Sequence, residues 1–471
     1  MNTASIQKAG AASKAIRRWG ALMGLLVVAA VGAPAQTSME DRMAAMEALL
    51  ERQNARIQQL EQELAVSQGE GKVQEVRAVR DDGRPFIRPA VLVSSTSGPI
   101  LVPAAAPEPA LTPEPAAAAV PAPPQDPTTS PDFEGLNFFR GMSLSGSVDA
   151  YYGYNFNKPG SRTSAFHSLD PHSNSMTLNL VELDLNKAVS DSSPLGYRLT
   201  FGYGPTADIV NGGDFGIGNV TGANFLQYYL SGQIPGSKLT IDVGKFVTQH
   251  GAEVIETAPN WNYSRGILFG FAIPFYHFGV RATYAASEQV SLAAFLVNGW
   301  NNVVDNNGGK TFGAQLIWTP SERFTFVQNY MVGPENADDN DNMRHLFDSL
   351  LTVGLHEKVT FMTNFDYGMD EITGGGKVHW IGAAGYLRLS PASWFAFTPR
   401  FEYYNDPNGF TTGARQQVKE ITFTPEFLIG ENFITRFEYR RDWSNAATFS
   451  RGPAESGFSQ DTVGLGVILK F

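Results

Sequence analysis

The chain has no cysteine among its 471 residues, which rules out both a disulfide scaffold and a Cys-ligated metal site. Basic residues are also in short supply, 35 Lys and Arg against 46 Asp and Glu, for a formal net charge of -11. Residues 1–35 carry Lys8, Lys14, Arg17 and Arg18 and no acid, so a chain cut after Ala35 stands at -15. Nucleic-acid binding needs a basic footprint, and no such partner is expected. The apolar run from Trp19 to Ala33 falls short of the ~20 residues that a helix needs to cross a bilayer. Glycine and aromatic residues, by contrast, are abundant, with Gly 47, Phe 32, Tyr 16 and Trp 7. Strands with glycine-rich turns and aromatic belts suit that composition better than helices do.

Three segments precede any strand pattern. Residues 1–35 read as a signal peptide, with a basic start ending in Arg17-Arg18, the apolar run, and the small-x-small ending Ala33-Pro34-Ala35. The arginine pair also fits a twin-arginine signal, which is set aside because a β-barrel must cross the inner membrane unfolded. Residues 36–68 hold a heptad over Met39–Leu64, in which Met43, Leu50, Ile57 and Leu64 form one seam and Met39, Met46, Gln53 and Leu60 the other. A lone helix of this length is marginal in water, so the stripe predicts a parallel coiled coil and a homo-oligomer. A trimer is the expected number, although the stripe does not set it. Residues 69–137 turn to Pro, Ala, Ser and charge, most densely in PAAAPEPALTPEPAAAAVPAPPQDP, and read as a polyproline-type linker at about 3.1 Å per residue.

From about 138 to 471 the chain alternates with period two. Sixteen strands are expected: 142–156, 175–188, 194–204, 223–232, 237–247, 276–286, 290–300, 309–319, 322–333, 343–355, 357–368, 377–390, 393–405, 416–428, 431–441 and 460–471. Their connections alternate long and short, from 157–174 and 189–193 at the start to 429–430 and 442–459 at the end. An even strand number with short turns on one rim and long loops on the other is the build of an outer-membrane barrel. The faces agree with that reading. Val463, Leu465, Val467, Leu469 and Phe471 share one side of the last strand, and Phe395, Phe397, Phe401 and Tyr403 oppose Arg400 and Glu402. Lipid solvates neither backbone nor charge, so the apolar face is expected to meet outer-membrane lipid and the charged face water. Two places break the parity: a bulge is expected near Leu180, and Lys245 falls on the lipid side, either at headgroup level or beside a bulge at Gly244. The terminal Phe471 on an apolar strand resembles the aromatic mark that barrels present to their assembly machinery.

The chain resembles the β-barrel porin-2 (OmpL-like) outer-membrane family over roughly residues 138–471. The resemblance is densest in GSVDAYYGYNF (146–156), LNLVELDLNKA (178–188), VGKFVTQHGAEVIETAPNWNYSRGILFGFAIPFYHFGVRATY (243–284) and VNGWNNVVDNNGGKTFGAQL (297–316). It implies a channel-forming barrel in the bacterial outer membrane. The N-terminal segment would then lie in the periplasm.

For a channel the working residues are the charges that parity turns inward: Asp149, Glu182, Asp184, Arg198, Asp242, Arg281, Asp366, Arg388, Arg400, Glu402, Glu420, Glu426, Arg436, Glu438 and Arg440. The plainer alternative is that they pair with one another along a polar wall. The long connection 248–275 is expected to fold into the lumen and narrow it, with Glu253 and Glu256 facing a basic wall that includes Arg281. Arg265 either joins that constriction or ties the loop down through carboxylates. Enzymatic readings are weak. His167 and Ser168 are neighbours in sequence, which orients neither toward the other. His250, Glu253 and His277 lack metal-ligand spacing, DNNGGK (305–310) reads as a turn, and Asp338, Asp339 and Asp341 read as solvated loop charge. No enzyme, cofactor or metal is therefore expected. The sequence supports a porin for small hydrophilic solutes or ions, with a structural tether or adhesin anchored by the barrel as the alternative.

Overall fold

The computed structural model describes residues 141–212 and 224–471. The expected signal peptide, coiled coil and linker all lie outside the described residues. Within them alternation dictates the architecture. Sixteen strands form one closed antiparallel barrel: β1 (Met142–Asn155), β2 (Ser175–Lys187), β3 (Leu195–Tyr203), β4 (Phe225–Gln233), β5 (Leu239–Val247), β6 (Tyr276–Ala285), β7 (Val290–Val297), β8 (Thr311–Ser321), β9 (Phe324–Pro334), β10 (Met343–His356), β11 (Val359–Glu371), β12 (Lys377–Ala392), β13 (Phe395–Asp406), β14 (Gln416–Ile429), β15 (Phe433–Ser444) and β18 (Ser459–Lys470). The remaining two, β16 (Phe449–Arg451) and β17 (Glu455–Gly457), make a small ribbon in the last long loop. Each barrel strand lies within three residues of its expected limits. The short connections share one rim and the long ones the other, and closure of β1 on β18 leaves no sheet edge exposed. Phe471 extends that closure by exchanging backbone hydrogen bonds with Gly146, both at 3.0 Å.

Both parity breaks have local causes. Opposite Asp149 and Ala150 the pairing jumps from Leu180 to Leu178, leaving Asn179 as the extra residue of a bulge. Its Nδ2 donates to Asp149 Oδ2 at 3.1 Å, so the bulge adds a polar group to the lumen. Pairing runs unbroken through Gly244, whose φ of 140° suits only glycine, and a Cβ there would lie 2.3 Å from the Tyr228 carbonyl oxygen. Lys245 sits at neither expected place. It is buried beneath the helix α1 (Pro205–Asn211), where its ammonium donates to Asn211 Oδ1 at 2.5 Å and lies 3.8 Å from the Tyr276 ring centre. A charge on the apolar face is tolerated because the loop that follows β3 wraps it in partners.

The buried apolar residues do not form a layer between sheets. They form two clusters, both anchored on the connection 248–275 and its short helix α2 (Ile267–Phe271). One joins Ile267, Leu268, Ala272 and Ile273 to Phe246, Phe295, Trp380 and Tyr404 of the wall. The other joins Ile255, Phe269 and Phe275 to Leu180, Leu226 and the α1 residues Ala207 and Val210. The core of this molecule is thus the lumen itself, filled by the insert.

Candidate functional site

The insert brings many backbone groups into the barrel and pairs few of them with one another. Buried N–H and C=O groups must find partners, and the charged inner face of β10 to β15 supplies them. Carboxylates and amides take the N–H groups. Gly251 N donates to Asp348 at 2.9 Å, Ala252 N to Asn364 at 3.0 Å, and Tyr263 N and Ser264 N to Glu438 at 2.8 and 3.0 Å. Glu402 accepts from Ile267 N and Leu268 N, and so caps the first turn of α2. Gly266 is glycine for the same reason, because a Cβ there would lie 2.0 Å from the Glu402 carboxylate.

Guanidinium groups take the carbonyls. Arg400 donates to Ser264 O at 2.7 Å, Arg436 to Thr257 O at 2.6 Å, and Arg440 to Arg265 O at 2.7 Å. Trp380 and Tyr404 complete the row on Ala272 O and Phe271 O. On the other wall Asp149 accepts from Thr257 and Tyr263 at 2.6 and 2.9 Å. The insert, which leaves the wall at β5 and rejoins it at β6, is therefore fastened across the lumen to β10–β15 and, two strands further round, to β1.

The four residues expected at a constriction do not converge. Glu253 is 4% exposed and pairs with Arg400 at 2.7 Å, while its second oxygen accepts from Gly266 N. Arg265, 1% exposed, spends its donors inside the insert, on Val254 O, Ile255 O, Tyr263 O and Thr257 Oγ1. It ties the loop to itself through carbonyls, not to the wall through carboxylates. Arg281 pairs with Asp242 at 2.8 Å and lies over the Phe246 ring. Glu256 and Arg281 stay partly exposed. The expected field between Glu253 and Arg281 is replaced by short-range pairing, because a desolvated charge needs its partner in contact.

Several other inward charges fall into similar pairs: Asp184 with Arg198, Glu426 with Arg388 and Arg436, Glu420 with Arg400, and Asp442 with Arg440. Asp366 lies directly opposite Asp348 in the β10–β11 register. Exposure separates these charges. The side chains of Arg198, Arg281 and Arg388 are 33%, 20% and 21% exposed, whereas Arg400, Arg436 and Arg440 are shut from water.

The weak enzymatic motifs gain nothing from the fold. His167 Nδ1 faces Asp170 at 2.8 Å and its Nε2 faces Thr462, not Ser168. Ser168 instead packs over Gly270 of the insert. His250 and His277 share Thr248 Oγ1 at 3.0 Å each, while Glu253 is held by Arg400. Among the described residues no group of three or more His, Asp or Glu side chains could hold a metal. In 305–310 Lys310 closes on Asp305 at 2.5 Å, and Asp339 is occupied by its own loop.

Sequence reasoning missed Asp348, Asn364, Asn329 and Trp380 as docking groups, although inward parity marks all four. It also missed Glu335, just past β9, which is buried and accepts from Trp300 N at 2.8 Å and Thr311 Oγ1 at 2.6 Å. Burial pushes its carboxyl up to about 7, with Arg344 pulling the other way. A raised folded-state value means that its stabilising contribution is complete below the ordinary 4.5 and is lost as pH rises through about 7. Glu335→Gln should flatten that part of the stability profile, read as the heat-modification midpoint on gels across this range. An unaltered slope would clear Glu335 of the effect.

Comparison with known proteins agrees with this build. Residues 141–471 match the family described as "Putative beta-barrel porin-2, OmpL-like". No curated protein matches the chain. Among solved structures it is similar to the anion-selective porin from Comamonas acidovorans, at 11% identity and a TM-score of 0.48, covering 70% of this chain and 99% of that one. It is similar also to the outer membrane channel DcaP of Acinetobacter baumannii, at 12% identity, a TM-score of 0.47, and 70% and 97% coverage. OmpT of Vibrio cholerae, expressed in the outer membrane, gives the same four values. The chain belongs to the β-barrel porin-2, OmpL-like family of bacterial outer-membrane β-barrels.

Proposed function

We propose that the protein is a narrow porin through which ions and small hydrophilic solutes diffuse down their gradients, without cofactor or catalysis. The observation that carries this reading is the uneven wetting of the lumen, in which Glu256, Arg198, Arg281 and Arg388 keep contact with water while the insert dries the rest. A sixteen-stranded barrel encloses room for a channel, and partly hydrated charges of both signs are suited to receiving solutes. Around the long-loop half, inward side chains such as Thr200, Phe246, Phe295 and Tyr404 are buried, so the passage is tight. The short-turn rim faces the periplasm in this reading. After removal of residues 1–35, residues 36–68 trimerise the protein there at the end of the 69–137 spacer, and Phe471 serves barrel assembly.

Purified folded protein in planar bilayers should give stepwise conductance below that of an unobstructed barrel of this strand number. The second reading, an anchor for a tether or adhesin, draws on the same packing, since a filled lumen suits a barrel that conducts nothing. Silence from verified folded protein would decide for the anchor.

A further inference from the structure

We propose that the outer face of β13 to β15, at the long-loop rim, holds a phosphate-bearing lipid of the outer leaflet, with Lys419 and Arg441 on its phosphate. The leaflet follows from the orientation given above, with the short-turn rim toward the periplasm. The binding itself requires no conduction, so a silent barrel bears only on the porin reading.

The two cations come from the same alternation that builds the lumen. Glu420 and Arg440 point inward and are shut from water, so their neighbours Lys419 and Arg441 lie on the outer face. Strands β14 and β15 pair Lys419 with Trp443 and Ile421 with Arg441, which makes Lys419 and Arg441 diagonal neighbours. Such positions stand about 7–8 Å apart, within reach of long side chains that converge on one group. On its other side Lys419 is paired with Tyr403, and its ammonium lies 5.8 Å from the centre of that ring. Tyr and Trp gather at the headgroup level of a membrane, which sets this pair of cations at the depth of lipid phosphates.

The protein leaves their charge unbalanced. Lys419 is half-buried and makes no ion pair among the described residues. Arg441 keeps 46% of its side chain in water and meets Asp461 through Nη1 alone, at 2.9 and 3.0 Å, so Nε and Nη2 remain available. Asp461 is engaged further by the Tyr439 hydroxyl at 2.6 Å. The other outward cations at this rim differ, since Lys377 pairs with Glu371 and Lys245 is buried against Asn211. Toward the middle of the bilayer the same face is apolar and open, with Phe401, Phe437 and Leu465 all exposed. A cationic pair above an exposed apolar face fits an anionic headgroup that carries acyl chains, whereas a soluble anion would meet only the upper half.

The test is native mass spectrometry of the full-length folded protein in detergent, titrated with diphosphoryl lipid A. Lys419→Gln and Arg441→Gln should each weaken the first binding step about fivefold, and the double variant about twentyfold. Lys377→Gln, which removes a cation that Glu371 already pairs, should change little. Phosphatidylcholine should bind more weakly than lipid A, and inorganic phosphate should not displace it. The heat-modification midpoint gives an independent reading, rising with lipid A in the wild type and staying put in Lys419→Gln, which disturbs no ion pair. Undiminished binding by a folded double variant, an equal loss in Lys377→Gln, or phosphatidylcholine bound as tightly as lipid A would overturn the proposal. Displacement by inorganic phosphate would also overturn it, by showing a site for a soluble anion.

Discussion

Arg400→Ala is expected to release the insert, raising single-channel conductance several-fold and lowering the temperature at which the folded protein is lost. The Arg400 guanidinium has no contact with water and serves five groups: Glu420 at 2.8 Å, Glu253 at 2.7 Å, the Ser264 carbonyl at 2.7 Å, the Ser264 hydroxyl at 3.2 Å and the Thr422 hydroxyl at 3.3 Å. Its loss leaves Glu253 and Glu420 buried without their shared cation and strips the Ser264 carbonyl of its donor. Breaking a buried pair by removing one partner costs about 3–5 kcal/mol. The barrel ladder does not depend on this side chain, so the strain falls on the insert. Wetting the lumen relieves it, and a wetted lumen conducts. Arg400→Lys keeps the charge but loses the planar fork that binds carboxylate and carbonyl together, and should fall between the two. Conductance and midpoint equal to wild type in Arg400→Ala would show that the insert is held by other contacts.

The wall was legible in the sequence because a strand repeats every two residues, and the repeat reports face directly. It exposed even the bulge, since the shift from Leu178 and Leu180 to Val181 and Leu183 has the same cause as the unpaired Asn179. Parity assigns a side chain to a face, however, and not to a partner. Arg400 and Arg281 look alike by that rule, yet one clamps Glu253 and the other closes on Asp242 across a single strand pair. The difference lies in the path of the insert, which has no period to read. Arg265 illustrates this most plainly. Its acceptors are carbonyls brought around it by the folding of 254–263, and carbonyls have no signature in a sequence. Helix α1 and the ribbon β16–β17 were missed for a related reason, being short elements set by tertiary contacts within long loops. The lumen could thus be listed residue by residue, while which of its groups bind the insert and which keep contact with water could not.

Replacing residues 252–271 by a short Gly-Ser linker is expected to raise conductance by about tenfold, toward that of an open sixteen-stranded barrel. The ends of the insert permit the graft, since Thr248 N already donates to Phe275 O across the loop mouth at 3.2 Å. This deletion removes most partners of the docking wall together, leaving only those at its ends such as Gly251 and Ala272, which invites comparison with Arg400→Ala. In the point variant carboxylates stay buried under a bound insert, and their desolvation is not compensated. In the deletion Arg436, Arg440, Glu402 and Glu438 meet water, which hydrates charge at no such cost. Pairs formed within the wall, such as Arg440 with Asp442 and Arg436 with Glu426, also survive. The larger excision should therefore keep its heat-modifiable barrel at least as well as the single substitution while conducting more. Conductance unchanged by the deletion would place the bottleneck elsewhere. The first candidate would then be the loop between β1 and β2, where His167 reaches Thr462 and Phe166 rests 5.2 Å from Phe271.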